Sequence, residues 1–303
     1  MKKKKSSGIK KRDNMGWLFI APFLIVFLTF SIYPVLRTLY LSFTDYSGFN
    51  VPTWTGLTNY QRVFKDQLFW EAFGNTIKIW GINIVLQLGI AFLLTILFSD
   101  IKYKIKGLSV FRALFYLPNL IAATSVAFLF KTLLDWKFGS LNQILVGLGI
   151  TDTQIDWLGT PVLLRTVVGV IGAWMWFGNS FIMLMAGVQG INGDYFEAAS
   201  IDGAGRWKIF TKITIPILKP ILLYVAITSL IGGLQIFDIP YLVSLGNQKM
   251  TRSVNTAVMH LYNMAFKNRQ IGYAGALAFI LFFIIAICSV AVYFMMYAKK
   301  EDE

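Results

Sequence analysis

The chain has 303 residues, of which 56% are hydrophobic and only 14% are charged, and its mean hydropathy is +0.61. Soluble domains carry roughly a quarter charged residues, so this composition excludes an ordinary soluble protein and predicts that most of the chain lies in a membrane. The net charge of +13 is concentrated at the chain ends and in short connecting segments. Membrane topology therefore explains the charge better than nucleic-acid binding does.

The sequence contains none of the residue patterns that commonly carry catalysis. One cysteine, Cys288, excludes an intrachain disulfide and a cysteine-based zinc site, and one histidine, His260, argues against a histidine metal centre. The chain contains no GxxxxGK(S/T) phosphate-binding loop, no HExxH and no nucleophile beside a base. We predict a non-enzymatic chain that binds no cofactor and no metal, so any ATP hydrolysis linked to it must take place on other subunits.

Apolar runs of about 20 residues, each long enough to cross a bilayer, recur along the chain. Residues 1–14 hold seven Lys and Arg and are predicted to be a disordered basic tail. The runs lie at about residues 17–43, 75–98, 110–130, 162–188, 221–245 and 274–297. The first is too long for a signal-peptide core and lacks a small-residue cleavage site, so it is predicted to be an uncleaved span. The expected fold is all-α, a polytopic membrane protein with six transmembrane helices.

Basic residues predict the orientation of these spans. An even number of spans places both ends of the chain on one side of the membrane. Most Lys and Arg residues lie in the two tails, in the loop with Asp100, Lys102, Lys104 and Lys106, and in the connector after the fourth run. Because cytoplasmic segments carry the excess of Lys and Arg, both termini and this connector are expected to be cytoplasmic.

The connector between the fourth and fifth runs reads as two short helices. Asp194 is the predicted N-cap of the first, with Glu197 at the capping-box spacing, and Gly203 is expected near its end. A second helix is predicted over residues 206–215 and is expected to end at Pro216. An acidic start and a face of small residues suit docking into a cleft on another protein.

The same connector carries an extended motif. The matching residues are Glu197-Ala198-Ala199, Asp202-Gly203-Ala204, Phe210, Ile213 and Pro216, which follow EAA-x-x-DGA-x5-F-x-x-I-x-L-P with Ile215 in place of the Leu. This resembles the coupling loop of ATP-binding cassette (ABC) importer permeases, and most of all the carbohydrate-uptake, maltose-permease-like branch. The resemblance covers roughly residues 15–298, with the coupling loop at 189–220 and a cytoplasmic tail at 299–303, and it implies the type I ABC importer permease fold.

The resemblance also implies the machinery around the chain. A second, similar permease would form a heterodimer with it in the cell membrane, two ABC ATPase subunits would bind ATP and Mg, and an extracytoplasmic solute-binding protein would deliver the sugar. The residues expected to contact the ATPase are Glu197, Ala198, Ala199, Asp202, Gly203 and Ala204.

Polar residues inside the spans indicate where a substrate could lie. An ionisable residue in a span is costly and often functional, and Asp238 is the best example, with Pro240 expected to loosen its helix and Gly232 and Gly233 to leave room. Asp238 could instead pair with a residue of a partner subunit.

Two further spans carry aromatic and amide groups that suit a sugar. These are Trp174, Trp176, Asn179 and Ser180 in the fourth run, and Asn83 and Gln87 in the second. The two tryptophans could equally be packing residues. For Asn83 and Gln87 we favour hydrogen bonds between helices over contact with a substrate.

In maltose-type permeases the helices on either side of the coupling loop hold the sugar. Transferred onto this chain, the resemblance implies one wall of Gly172, Met175, Trp176 and Asn179, and a second wall of Ser229, Gly232, Gly233 and Gln235, with Asp238 beyond it.

These observations predict a permease subunit that takes up a carbohydrate, preferably a neutral sugar or oligosaccharide, since the spans offer no cation cluster for a phosphate. The alternatives are the same machinery for glycerol-phosphate-type or other small solutes, and an ion-coupled secondary carrier. A membrane enzyme is the least favoured reading because no catalytic constellation is present.

Overall fold

The computed structural model describes residues 10–98 and 107–297, with side chains from residue 16 onward. The tail at 299–303, the basic loop around Asp100 and residues 1–9 lie outside the described part. The first helix begins at Lys10. Residues 10–14, predicted to belong to a disordered tail, are therefore helical.

The described chain is predominantly helical, which confirms the all-α prediction. The helices are α1 (Lys10–Phe27), α2 (Tyr33–Ser42), α3 (Thr58–Lys65), α4 (Gln67–Phe98), α5 (Leu108–Leu120), α6 (Ala123–Leu133), α7 (Ser140–Gly147), α8 (Pro161–Gln189), α9 (Gly193–Ile201), α10 (Arg206–Ile209), α11 (Ile215–Ile217), α12 (Lys219–Leu234), α13 (Asp238–Ser244), α14 (Gln248–Val254), α15 (Ala257–Tyr262) and α16 (Ile271–Tyr297). Wider π-helical turns occupy Leu28–Ile32, Phe210–Thr214 and Asn263–Lys267. Two short strands, β1 (Thr44–Asp45) and β2 (Thr53–Trp54), pair antiparallel.

Five helical segments of the described chain are long and apolar enough to cross a membrane. They are Gly16–Ser42, Gln67–Phe98, Pro161–Gln189, Lys219–Ser244 and Ile271–Tyr297. A sixth span is present if α5 and α6 count as one, although they meet at 87°. The protein is a multi-pass membrane protein, as predicted.

The predicted third span is broken rather than continuous. Ile121 and Ala122 between α5 and α6 have extended backbone, with ψ of 133° and 134°. Two consecutive extended residues end one helix and start the next in a new direction. Hydropathy does not reveal this corner because the residues on both sides of it are apolar.

The chain divides into two units, Met1–Lys65 with Leu261–Ile280 and Asp66–His260 with Leu281–Glu303. In the first, the Asn59 side-chain amide donates to the backbone carbonyls of Ser42 (3.0 Å) and Thr44 (2.9 Å). These bonds satisfy carbonyl groups at the end of α2 and hold the hairpin beside α3.

Helix α8 is the centre of the second unit. It packs against α4, α5 and α12, and more of it is buried than of any other span. Small residues permit these close contacts: a Cβ at Gly178 would overlap the Phe115 carbonyl of α5, and one at Gly169 would lie 2.9 Å from Ile82 of α4. Glycines on α8 therefore set the distance between the helices that surround the cavity described below.

The connector after α8 starts differently from the prediction. Asn192 is the N-cap of α9, since its side-chain oxygen accepts from the Asp194 N–H at 3.1 Å. Asp194 lies in the first turn, so it does not form a capping box with Glu197. Its charge still complements the positive end of the helix dipole.

The end of α9 is a Schellman motif. Gly203 has a left-handed φ of +73°. Its N–H donates to the Ser200 carbonyl (3.2 Å), and the Ala204 N–H donates to the Ala199 carbonyl (2.9 Å). Only a residue that tolerates positive φ fits this position, so the predicted stop at Gly203 has a clear physical reason.

The second helical stretch of the connector runs past its predicted end. The chain stays helical through α10, the π turn and α11, and bends at Leu218. Pro216 lies at the start of α11, where its missing N–H is tolerated, so the expectation that Pro216 ends the helix is wrong.

Candidate functional site

A cavity of about 330 Å³ lies in the second unit, between α4, α6, α8, α12 and α13. The residues that line it are Asn83, Gln87, Ala123, Gly172, Met175, Trp176, Asn179, Ser180, Met183, Tyr224, Val225, Thr228, Ser229, Gly232, Gly233, Gln235, Ile236, Phe237, Asp238 and Ile239. All eight residues predicted to contact substrate are in this set: Met175, Trp176, Asn179, Ser229, Gly232, Gly233, Gln235 and Asp238. The structure thus brings together positions that are up to 63 residues apart in the sequence, from Met175 to Asp238.

One wall comes from α8. Trp176 lines the cavity and is 48% exposed, while Met175 is buried and Asn179 is half-buried. Trp174 points elsewhere, because its ring packs edge-on against Phe130 at 5.6 Å. Of the two tryptophans considered from sequence, one therefore lines the cavity and the other packs against a neighbouring helix.

The opposite wall is interrupted where α12 gives way to α13. Helix α12 ends at Leu234 and α13 begins at Asp238, so Gln235 to Phe237 are non-helical. The break lies before Pro240, which was expected to cause it. Pro240 is in the first turn of α13, where no intrahelical N–H bond is lost.

The two glycines of this wall play different parts. A Cβ at Gly232 would meet nothing within 4 Å, so this residue leaves open space. A Cβ at Gly233 would overlap the ring of Trp80, whose indole N–H donates to the Ser229 carbonyl at 3.1 Å. The expectation that Gly233 leaves room for a ligand is therefore wrong, since Trp80 of α4 fills that room.

A polar network ties the walls together. Gln87 donates to the Ser180 hydroxyl at 2.7 Å, and the Ser229 hydroxyl donates to the other end of the Gln87 amide at 3.3 Å. These bonds join α4, α8 and α12, so the prediction of inter-helix hydrogen bonds is confirmed for Gln87. For Asn83 the same prediction is wrong, since its side chain makes no hydrogen bond to another residue that the structure describes. Buried polar groups of this kind hold a cavity in one shape when each has a partner.

Sequence reasoning missed part of the lining. Tyr224 and Thr228 of α12 line the cavity one turn apart, as does Phe237 in the break. The Thr228 hydroxyl donates to the Tyr224 carbonyl at 2.8 Å. The four-residue spacing from Tyr224 through Thr228 to Gly232 is the signal that could have placed them on one helix face.

The lining of the cavity combines apolar side chains with amides and hydroxyls and is nearly uncharged. Among the described residues that line it, Asp238 is the one acidic or basic residue. Its carboxylate is exposed, at the first residue of α13. Amides, hydroxyls and aromatic rings make up much of the remaining lining, so the site is suited to a ligand with many hydroxyl groups and little charge.

The connector forms a second candidate site, on the surface. Glu197, Ala198, Asp202 and Gly203 are exposed, and Ala199 and Ala204 are half-buried. Large apolar side chains stand among them, with Ile201 87% and Trp207 68% exposed. Phe196 and Phe210 point inward and anchor the two helical stretches. The motif alone did not predict that Ile201 and Trp207 extend the apolar surface.

These features are those of a membrane-embedded transport subunit. Residues 105–298 match the family described as "Binding-protein-dependent transport system inner membrane component", and the chain belongs to this family.

Relatives support this family assignment, and a solved structure shares the fold. The chain is 32% identical to the "Probable ABC transporter permease protein YesP" of Bacillus subtilis (strain 168), covering 99% of this chain and 97% of that protein. It is 31% identical to the "Lactose transport system permease protein LacF" of Rhizobium radiobacter, covering 98% of each. The fold is also that of a chain in the crystal structure of a bacterial alginate ABC transporter in complex with an alginate pentasaccharide-bound periplasmic protein. The TM-score is 0.80 over 96% of each chain, and the sequence identity is 23%.

Proposed function

We propose that this chain is a permease subunit of an ATP-driven importer and that it takes up a neutral sugar or oligosaccharide. The cavity carries this proposal. The exposed Trp176 lines the same space as the amide residues Asn179 and Gln235 and the hydroxyl residue Ser229. Aromatic rings pack against the CH faces of a sugar, while amides and hydroxyls bind its hydroxyl groups. The name of the lactose permease relative supports the same substrate class.

The charge of the cavity favours a neutral sugar over a phosphorylated one. A phosphate group needs Arg or Lys partners or an array of backbone N–H groups. The described residues that line the cavity include one carboxylate, Asp238, and neither Lys nor Arg. A glycerol-phosphate substrate is the second candidate, and it would have to find its cations on the partner permease.

The exposed connector supports coupling to an ATPase. In the proposed assembly α9 docks on a cytoplasmic ABC ATPase, with Glu197 facing a basic residue and the Ala198, Ala199 and Gly203 surface allowing close approach. ATP and Mg bind the two ATPases, and a second permease completes the pathway as a heterodimer. An extracytoplasmic solute-binding protein delivers the sugar, and both termini of this chain are cytoplasmic.

The test is uptake by the purified complex in proteoliposomes, with lactose and maltose as neutral probes and glycerol 3-phosphate as the charged one. We expect ATP-dependent accumulation of a neutral probe that needs the binding protein and does not need an ion gradient. Uptake that continues without ATP and collapses without an ion gradient would replace the proposal with a secondary carrier. Accumulation of glycerol 3-phosphate alone would replace the substrate class while keeping the importer.

A further inference from the structure

We infer that Thr256 is a positioning residue for transport, because its hydroxyl holds the break between α12 and α13 in place. This inference rests on the proposed function, since the break forms part of the wall of the cavity proposed to bind the sugar. Thr256 lies just before α15 and is not among the described residues that line the cavity. It would therefore act through the wall and not through contact with the sugar.

The break leaves one backbone carbonyl without its usual partner. In a continuous helix the Ile236 carbonyl would accept from the N–H of residue 240, but Pro240 has no N–H. The next carbonyl does have this partner, since Phe237 accepts from the Tyr241 N–H at 3.1 Å. The break lies inside the apolar span Lys219–Ser244, where an unpaired carbonyl is costly. The Ile236 carbonyl therefore needs a donor from another part of the chain.

Thr256 supplies that donor. Its hydroxyl donates to the Ile236 carbonyl at 2.8 Å and accepts from the Met259 N–H at 3.2 Å, so it is used both as a donor and as an acceptor. The Thr256 side chain is fully buried. Hydroxyl side chains commonly pair with the carbonyl groups that a proline frees in a membrane helix. Here the hydroxyl comes from a separate element, 20 residues along the chain.

The segment that carries Thr256 is itself fixed to α4. On one side of Thr256, the Ala257 N–H donates to the Thr76 hydroxyl at 2.9 Å. On the other side, the Asn75 amide donates to the Asn255 carbonyl at 3.1 Å. Because both neighbours are held on the same helix, the Thr256 hydroxyl has a defined position from which to hold the break.

Loss of this bond should loosen one wall of the cavity. Ile236 lines the cavity, as do Gln235 and Phe237 on either side of it. If these residues take up other conformations, a smaller fraction of the complexes presents a wall that fits the sugar, and the apparent affinity falls in proportion. The effect should depend on the hydroxyl, since this group makes the bond to the break.

The first measurement reports on the wall without transport. Ile236→Cys is placed in a Cys288→Ser background, which removes the natural cysteine, and its labelling by a water-soluble maleimide is followed in the purified complex. Adding Thr256→Val, which keeps the side-chain shape and removes the hydroxyl, should raise the labelling rate about threefold or more. Adding Thr256→Ser, which keeps the hydroxyl, should leave the rate nearly unchanged. Thr95→Val is the matched control, since Thr95 is equally buried and its hydroxyl donates to the Ala91 carbonyl of its own helix at 2.7 Å.

The second measurement is uptake of lactose and maltose by the complex in proteoliposomes at saturating binding protein, without the added cysteine. Thr256→Val should lower uptake of the transported sugar about threefold or more. Thr256→Ser and Thr95→Val should retain most of it. Rescue by serine is the result that a purely space-filling role of Thr256 would not give.

Unchanged labelling or unchanged uptake in Thr256→Val would overturn the inference, and so would an equal loss of uptake in Thr256→Ser or Thr95→Val. If Thr256→Val does not assemble, Thr256→Ala decides, with the same expected results. Failure of both variants to assemble would show a role in folding and would also overturn the inference. Faster labelling of a complex whose wild type takes up neither sugar would keep Thr256 as the residue that holds the break and would defeat the proposed function, which separates the two failures.

Discussion

The cavity wall and the connector surface differ in whether their side chains find partners within the chain. Around the cavity, Gln87, Ser180 and Ser229 are hydrogen-bonded to one another across three helices. On the connector, Ile201 and Trp207 expose most of their apolar surface among polar neighbours. The polar groups of the first region pair within the chain, whereas the second region exposes apolar groups that contact with a partner would bury.

This difference separates two kinds of functional surface. A substrate pathway needs a preformed shape, which paired polar groups and close helix packing provide. A docking surface needs exposed apolar groups with a polar rim, since contact with a partner is what buries them. Substitutions on the connector should therefore reduce uptake without unfolding the chain. Substitutions in the paired network should lower the free energy of unfolding.

The largest effect is expected from Gly203→Val on the connector. A branched residue in the left-handed region costs about 1–2 kcal/mol, so the Schellman motif that ends α9 should open and move the docking surface. Uptake should fall about tenfold or more while some ATP hydrolysis continues uncoupled from it. Gly203→Asn is the matched control, since Asn tolerates positive φ and should retain most uptake. Equal uptake in both variants would contradict the account.

Gln87→Leu should have a moderate effect, on stability. It leaves the Ser180 and Ser229 hydroxyls without their amide partner and should lower the free energy of unfolding by about 1–2 kcal/mol, the upper range for hydrogen bonds between membrane helices. Thermal unfolding in detergent checks this. Asn83→Leu is the control, because removing it orphans no protein group, and its unfolding midpoint should change less. The reverse order of the two midpoints would contradict the assignment of Gln87 as the amide that joins the helices.

Asp238→Asn should have the smallest effect. Removing the one carboxylate of the described lining should leave KM for a neutral sugar within about threefold of wild type, since an amide of the same shape still binds hydroxyl groups. Competition by glycerol 3-phosphate should increase slightly, because a like charge near an anion is lost. Competition assays on uptake measure both. A collapse of neutral-sugar uptake would mean that Asp238 has a charge-dependent partner instead.

The features that could be predicted from the sequence are those that leave a hydropathy signal or a spaced motif. Apolar runs located the spans, and the helix-stop glycine Gly203 was recognised from its position. The eight proposed contact residues came from a family resemblance, and they surround one cavity because residues four apart share a helix face.

The features that were missed depend on tertiary structure. The corner at Ile121 and Ala122 lies inside an apolar stretch with no local marker. The break before Asp238 falls ahead of the proline that seemed to explain it. The difference between Gln87 and Asn83 depends on which neighbouring helix presents a hydroxyl, and a single sequence contains no information on that.

The most direct test is the recovery of partners with this chain from membranes in gentle detergent. Wild type is compared with Glu197→Arg on the connector and with Asp152→Arg, an equal charge reversal at an exposed site before α8. The account predicts that an ABC ATPase and a second permease accompany both wild type and Asp152→Arg, and that Glu197→Arg loses the ATPase alone. Absence of an ATPase from the wild-type sample, or its full retention by Glu197→Arg, would contradict the claim that this connector couples the chain to ATP hydrolysis.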